Sequence, residues 1–287
     1  MPPFQAENRI FFQHVIFVSG RYRQWGSDKL EVKKDVDYCF VVPIKPDKVL
    51  ELKDFWREAG TKKAGTMDVY LRNVGQSRVM AFLETMEGEH YLTQYIRGSE
   101  ELRTILMKNR GIDLPVADFI FREFQRFAGY DITAPENIPD LELLFDWTAD
   151  RKTGEAMTES RAYAVMLLPE KAEEAKRFYA RFREEWRMRQ LEQYIENRVI
   201  KVLSFLQHRP EGDYIVEYVE TAGNIDEVAG KIMRSEEPVF KNMKETFARL
   251  TGIDLADPRN MPRVELLFDW SADHGFRIGE AAMARSA

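Results

Sequence analysis

The six letters ELLFDW occur at residues 142–147 and again at residues 265–270. The text around them also repeats: PENIPDLELLFDWTAD (135–150) and PRNMPRVELLFDWSAD (258–273) are nearly identical. The two occurrences are 123 positions apart, since 265 − 142 = 123. Agreement over such a stretch, without low-complexity sequence, predicts an internal repeat.

The repeat extends far beyond these letters. An offset of 123 aligns residues 37–150, here called segment 1, with residues 160–273, called segment 2, without a gap. Matching residues include Pro46 and Pro169, Phe55 and Phe178, Tyr91 and Tyr214, Tyr95 and Tyr218, and Gly129 and Gly252. The sequence therefore predicts duplication of a whole domain. Outside the segments lie an N-terminal extension (1–36), a linker (151–159) and a tail (274–287).

Each segment predicts the order strand, helix, strand, strand, helix, strand. Apolar runs rich in β-branched and aromatic residues predict the strands, and apolar residues at three- and four-residue steps predict the helices. Gly60, Gly65 and Gly75 are expected to make the first helix of segment 1 break or fray. Pro115 and Pro238 are placed to begin helices, and Gly129 and Gly252 to end them in a left-handed cap.

The βαββαβ order is the ferredoxin-like arrangement. Together with the helix sequence PVADFIFREF (115–124) and the closing ELLFDW strand, it resembles the dimeric α/β-barrel superfamily, and most closely a short uncharacterised bacterial family whose last strand reads Glu-Leu-Leu-Xaa-Asp. Members of the superfamily pair two such sheets face to face. The resemblance implies an α+β chain of two tandem ferredoxin-like repeats, whose antiparallel sheets pack as an intramolecular dimeric α/β barrel.

The composition of the chain indicates which classes of binding partner and which cellular compartment to expect. A net charge of −6 and a pI near 5.5 argue against nucleic acid. The single cysteine, Cys39, excludes an intramolecular disulfide and indicates the cytoplasm. No stretch has the composition of a membrane span or signal peptide, so no membrane partner is expected. We expect a monomer with an internal pseudo-dimer, or a homo-oligomer. The extension is either an added strand covering a sheet edge or a contact between protomers.

Charged residues in the strands give the first candidate site. Alternation in the repeated strand is expected to turn its acids toward the space between the sheets, where each would need a partner. The acids are Glu142, Asp146, Glu265 and Asp269, and the candidate partners are Arg78 and Lys201. They are either solvated or structural ion pairs, or else Asp146 and Asp269 act as general acids or bases with Glu142 and Glu265 binding a ligand.

The four histidines give the second candidate site. None lies on a predicted helix, whereas haem-binding relatives supply their axial histidine from a helix, so haem is not expected. No HExxH spacing indicates zinc, and we expect no cofactor and no metal. His90 and His208 flank the turn between the second and third strands of their segments. Each is either simply solvated or shuttles a proton in catalysis.

Repeated tyrosines give the third candidate site. Tyr91, Tyr95, Tyr214 and Tyr218 are either plain core or the lining of an apolar pocket with a few polar groups.

Two hypotheses of function follow. In the first, the protein binds a small apolar or aromatic molecule between its sheets, and the resemblance implies cofactor-independent chemistry of the isomerase, cyclase or mono-oxygenase type. In the second, it is a non-catalytic assembly or regulatory module with a self-filled barrel. A pocket of roughly 300 Å³ or more would favour the first, and a closed interior the second.

Overall fold

A computed structural model describes residues 35–86, 88–149, 158–185, 192, 194, 196–255 and 257–277. The predicted extension up to residue 34, most of the predicted linker and the tail beyond residue 277 lie outside the described residues, and with them the predicted added strand. In the part of the chain that is described, no helix combines the length and apolarity that a membrane crossing needs.

Segment 1 follows the predicted order of strands and helices. Its elements are β1 (Val36–Ile44), α1 (Val49–Gly60), α2 (Ala64–Asn73), β2 (Gln76–Met86), β3 (Glu89–Gly98), α3 (Leu102–Lys108), α4 (Pro115–Ala128) and β4 (Asp140–Thr148). The predicted break of the first helix is confirmed: α1 ends at Gly60 and α2 begins four residues later, at Ala64, with Gly65 inside it. Pro115 begins α4 and Gly129 ends it with a φ of +86°, as expected of a glycine cap.

Segment 2 has the same order, followed by one short strand. Its elements are β5 (Thr158–Met166), α5 (Ala172–Glu185), β6 (Val199–Arg209), β7 (Gly212–Ala222), α6 (Ile225–Arg234), α7 (Pro238–Thr251), β8 (Arg263–Ser271) and β9 (Gly275–Arg277). β9 pairs with β8, so the described part of the predicted tail adds a strand to a sheet.

The strands form two antiparallel sheets in an α+β fold. One sheet has the order β1-β3-β2-β8-β9 and the other β4-β6-β7-β5. The closing strand of each segment therefore lies in the sheet of the other segment: β8 pairs with β2, and β4 with β6. This differs from the predicted self-contained ferredoxin-like repeats. Since β2 and β6 occupy corresponding positions, their edges are near-equivalent, and strand periodicity does not say which edge a closing strand joins.

The space between the sheets is filled by side chains of the protein. Its buried apolar cluster includes Val41, Phe82, Tyr95, Phe205, Val216 and Tyr218. These residues lie on the strand faces opposite the helices, while alternate residues pack beneath the helices in separate clusters. The expected ligand site between the sheets is therefore occupied by protein atoms, because large side chains from both sheets meet there.

Two buried side chains connect the edge strands to the opposite sheet. Gln207 of β6 accepts a hydrogen bond from the Val41 backbone N–H (2.7 Å) and donates one to the Val41 carbonyl (3.0 Å). At the corresponding position of segment 1, Glu84 of β2 accepts a hydrogen bond from the Ala164 N–H of β5 (2.7 Å). These bridges hold the sheets face to face at β1 and β5, which among the described strands are each paired on one side only.

The exchange of closing strands predicts the behaviour of an isolated half. A fragment of residues 1–157 keeps β4 but loses its partner β6, and β2 loses its partner β8. We expect this fragment to form no folded monomer and to dimerise at micromolar concentration, with the β4 of one copy pairing with the β2 of the other. Light scattering during gel filtration, with far-ultraviolet circular dichroism, measures this. A compact monomer with native-like dichroism would contradict the exchange.

Candidate functional site

The acids of the repeated strand do not share one face as predicted. In β8, a β-bulge leaves Leu267 without a register partner between Leu266 and Phe268. A bulge inserts one residue and reverses the alternation beyond it. Glu265 therefore lies on the helix side, where its carboxylate accepts a hydrogen bond from Lys53 of α1 (2.5 Å), while Asp269 turns toward the opposite sheet.

The corresponding acids of β4 are likewise divided between the two faces of their sheet. The same bulge occurs between Leu143 and Phe145. Glu142 accepts hydrogen bonds from Lys176 of α5 (2.7 Å) and from His208 (3.1 Å), and Asp146 is exposed. The expectation that Glu142 and Glu265 face the space between the sheets is wrong, because the bulge is invisible to an alternation count. Asp146 lies opposite Leu203 of β6, on the face turned toward the other sheet, at an exposed position.

The two rim histidines lie in different surroundings. The His208 ring bridges Asp213 (2.6 Å) and Glu142 (3.1 Å). Partial burial lowers the pKa of His208, but the hydrogen bonds to these two carboxylates outweigh burial and raise it above its usual value. His90 is hydrogen-bonded to the Thr85 hydroxyl (3.0 Å). Both histidines are thus engaged in local contacts, and a catalytic role for either stays a prediction.

Other candidates meet in an ionic layer between the sheets. Arg78 contacts Glu220 (3.2 Å) and Asp269 (3.8 Å), which confirms the predicted proximity of Arg78 to a strand acid. Burial raises the pKa of Asp269, and Arg78 opposes this effect only in part. Lys201, at the position corresponding to Arg78, pairs with Asp37 instead of with an acid of the repeated strand.

The predicted tyrosines pack in pairs across the two sheets. Tyr95 and Tyr218 stack with ring centroids 3.9 Å apart and planes 9° apart. Tyr91 and Tyr214 meet edge to face at 6.0 Å. Each pair joins corresponding positions of the two segments, so these rings fill the interior as core. Ligand-binding roles for them, and for Arg78, Lys201, Glu142 and Glu265, stay predictions.

A cavity lies elsewhere, between the helices and the sheet of segment 2. Its volume is about 120 Å³. This is below the roughly 300 Å³ expected for a drug-sized ligand, and near the roughly 150 Å³ of an apolar cavity that holds one benzene ring. The aromatic lining comprises Phe145, Tyr163, Phe178, Tyr179, Phe182, Tyr194 and Phe247. None of the residues selected from the sequence as candidates lines it.

The polar centre of the cavity is the carboxylate of Glu217. One oxygen accepts a hydrogen bond from the Tyr163 hydroxyl, and the other accepts hydrogen bonds from Tyr179 (2.8 Å) and Ser204 (3.1 Å). Burial, followed by the nearby Glu217 carboxylate, raises the pKa of both tyrosines well above its usual value. Both phenols therefore stay protonated at neutral pH and act as donors to Glu217.

Strand register brings this group together. Glu217 lies on β7 directly opposite Tyr163 of β5 on one side and Ser204 of β6 on the other. Directly opposed residues have Cβ atoms about 5 Å apart on the same face of the sheet. Tyr179 reaches the carboxylate from α5, which covers that face. We call these four residues the Glu217 cluster.

Segment 1 lacks every member of the Glu217 cluster. At the corresponding positions it carries Phe40 for Tyr163, Trp56 for Tyr179, Ala81 for Ser204 and Gln94 for Glu217. The Trp56 indole packs against Phe268 with centroids 4.7 Å apart. A pocket beside it has a volume of only about 10 Å³, too little for more than one water. The polar cavity thus belongs to one half of the molecule.

The sequence contained a signal for this site that a search for repeated residues does not find. Residues that match between the two segments indicate the fold that both share. The four residues of the Glu217 cluster, in contrast, all differ from their counterparts in segment 1. All four differences place an ionisable group or a hydroxyl where segment 1 has a residue without one. Within the described ranges, no group of three or more His, Cys, Asp or Glu side chains is arranged to hold a metal.

Comparisons with known proteins give limited information. No protein-family model matches the chain, and no curated protein matches it. Among solved structures, a "putative monooxygenase" from Fusobacterium nucleatum shows 11% identity and a TM-score of 0.45, covering 85% of this chain and 96% of its own. An anthrone oxidase-like protein shows 11% identity and a TM-score of 0.45, and the match covers 84% of this chain and 94% of that protein. A "putative monooxygenase" from Lactobacillus acidophilus shows 11% identity and a TM-score of 0.42, and the match covers 85% of this chain and 98% of that protein. Likeness at this level assigns no activity.

Proposed function

We propose that the cavity of segment 2 binds a small aromatic or apolar compound, and that the protein is a cofactor-independent enzyme in which Glu217 accepts a proton from that compound. The observation that carries the proposal is the Glu217 carboxylate, set among three hydroxyl donors in a cavity otherwise lined mainly by aromatic and aliphatic side chains. Few convergent polar groups in an apolar cavity are typical of small-molecule sites.

The chemistry follows from the surroundings of Glu217. A carboxylate has about four acceptor sites, and the three hydroxyls use three of them. The remaining site can accept a substrate proton, which leaves a neutral carboxylic acid and a substrate anion, and the proton can later return to another atom. Tyr163 and Tyr179 remain protonated and hold the Glu217 carboxylate in position by donating to it. Isomerisation and cyclisation need only such transfers, and mono-oxygenation needs dioxygen in addition.

Filling the cavity is expected to abolish binding. Ala229 of α6 lines the cavity, and Ala229→Phe places a ring in it. For wild-type protein, a neutral ring probe such as benzyl alcohol at 100 times its Kd should raise the free energy of unfolding by about 2.7 kcal/mol. The variant should show no such gain in a thermal-shift titration. Ala248→Phe, on α7 and outside the cavity lining, is the control and should keep the gain. Equal gains in all three proteins would refute the site.

Proton transfer can be measured without the natural substrate. Acetophenone has one ring and carries methyl protons next to a carbonyl, which exchange with D₂O when a base removes them. We expect wild-type protein to accelerate this exchange, followed by proton NMR, by on the order of 100-fold over Glu217→Gln. Equal rates in wild type and variant, with acetophenone bound in both, would leave a binding protein rather than an enzyme.

The second candidate function is a non-catalytic module. The observation that favours it is the space between the sheets, filled by aromatic and aliphatic side chains. A self-filled interior suits a scaffold for assembly or regulation. This candidate requires that the cavity of segment 2 take no ligand, so the binding titration separates the two.

A further inference from the structure

No cationic side chain among the described residues pairs with the Glu217 carboxylate at the centre of the cavity. Within the described part of the chain, Glu217 is contacted by three neutral hydroxyls and by no lysine, arginine or histidine within 4.0 Å. The three hydroxyls use three of the about four acceptor sites of the carboxylate and bring no charge to it. The ionic layer differs, since there Asp37 pairs with both Lys201 and Arg97. The cavity is thus built to hold a negative charge without neutralising it.

Aromatic rings surround this charge. Seven of the lining residues are phenylalanine or tyrosine, and their rings pack closely: Phe178 and Phe182 have centroids 5.3 Å apart, and Phe145 and Phe182 6.0 Å. The face of an aromatic ring carries partial negative charge and attracts a cation placed over it. A carboxylate and several ring faces therefore attract the same class of ligand.

One cation lines the cavity among the described residues, and it is already neutralised. The Arg161 guanidinium donates a hydrogen bond to Asp226 of α6 (2.7 Å), whose side chain is largely exposed. Arg161 lies two residues before Tyr163 on β5, so about 7 Å of strand separates their Cα atoms. Arg161 does not contact Glu217 and leaves its charge uncompensated.

We infer that the ligand of this cavity is a small organic cation, a protonated amine attached to an aromatic or apolar body, with Glu217 as its counter-charge. This inference rests on the proposed function, since it needs the cavity to be the ligand site. The ammonium group donates to the one acceptor site that the hydroxyls leave on Glu217, and the apolar body contacts the rings. A negatively charged aromatic ligand is disfavoured, because its charge would be buried against a carboxylate.

Three probes with the same ring and different charge test the inference: benzylamine, benzyl alcohol and benzoate. Calorimetric titration of the full chain at neutral pH should show benzylamine binding at least about tenfold more tightly than benzyl alcohol, and no binding of benzoate in the same range. In Glu217→Gln, the two affinities should fall within about twofold of each other, while benzyl alcohol still binds. Gln94 is the natural residue at the corresponding position and is buried in the same register, so glutamine is compatible with the strand.

The controls separate failure of this inference from failure of the proposed function. Glu245→Gln removes one negative charge from an exposed position of α7, and it should keep the full preference for benzylamine. Benzyl alcohol or benzoate binding as tightly as benzylamine in wild type, or a preference that survives Glu217→Gln, would overturn the inference and leave the proposed cavity standing. If none of the three probes binds, or if Ala229→Phe binds them all unchanged, the proposed site and the inference both fail.

Discussion

Replacing Glu84 with glutamine is expected to stabilise the protein strongly at pH 8 and to remove part of its pH dependence. Glu84 has no exposed surface, and its Oε1 atom has no hydrogen-bond partner in the described part of the chain. Burial raises the pKa of Glu84 from its usual 4.5 to about 8. The folded protein therefore keeps this carboxyl group protonated up to about pH 8, whereas the unfolded chain loses the proton above about pH 4.5.

The sign of the effect follows from these two pKa values. The contribution of Glu84 to stability is fully present below about pH 4.5 and is lost progressively as the pH rises to about 8. Between pH 5 and pH 8 the loss is on the order of 4 kcal/mol, from about three pKa units at 1.36 kcal/mol each. Urea unfolding at both pH values measures it. Wild type should lose this amount relative to Glu84→Gln.

The corresponding residue provides a matched reverse experiment. Gln207 makes both hydrogen bonds to Val41 as a neutral amide. Gln207→Glu should create a second buried acid and reproduce the loss of stability above about pH 5. If wild type and Glu84→Gln show the same free energy of unfolding at every pH, Glu84 is hydrated or ionised in the folded protein, contrary to its burial.

Replacing Arg78 with methionine is expected to destabilise the protein by about 3 kcal/mol. Arg78 is the cation that contacts both Glu220 and Asp269, and the side chains of all three residues are less than one-fifth exposed. Methionine retains most of the apolar stem but leaves two carboxylates facing each other in a poorly solvated layer. The deficit should shrink as the pH falls toward 4, because Asp269, whose pKa is raised by burial, can then take up a proton.

An exposed ion pair provides the control for Arg78. Arg57 pairs with Asp54 three residues away on α1, and both side chains are more than half exposed. Arg57→Met should therefore change the free energy of unfolding by no more than about 0.5 kcal/mol. Chemical unfolding of both variants at pH 7 and pH 4 makes the comparison. Equal losses in Arg78→Met and Arg57→Met would mean that the ionic layer is solvated.

Much of the architecture can be predicted from the sequence, because it depends on the backbone preferences of single residues and on strand alternation. The break at Gly60, the helix start at Pro115 and the left-handed cap at Gly129 follow from the backbone preferences of these residues. Strand faces also follow from alternation until a bulge intervenes, as it does beside Leu267. The exchange of β4 and β8 is not predictable in this way, because two corresponding edges compete for each strand.

The candidate site was less predictable for a physical reason. A repeat is recognised by what its segments share, and shared residues such as Tyr95 and Tyr218 are those that both halves need for packing. A site present in only one half is made of residues that differ from their counterparts in the other half. Glu217 and its counterpart Gln94 have side chains of nearly the same shape and size. The change from amide to carboxylate nevertheless alters the charge of the cavity. Reading the aligned segments for unmatched polar residues would have located it.

The proposed ligand site lies beneath the helices of segment 2 and not between the sheets. A crystal structure grown with bromobenzene tests it most directly, because anomalous scattering locates the bromine without interpretation of weak density. We expect a bromine peak inside the cavity, among the rings of Phe178, Phe182 and Tyr179 and within one ring length of Glu217. A peak between the stacked sheets near Tyr95, or an empty cavity with bromine only on the surface, would contradict it.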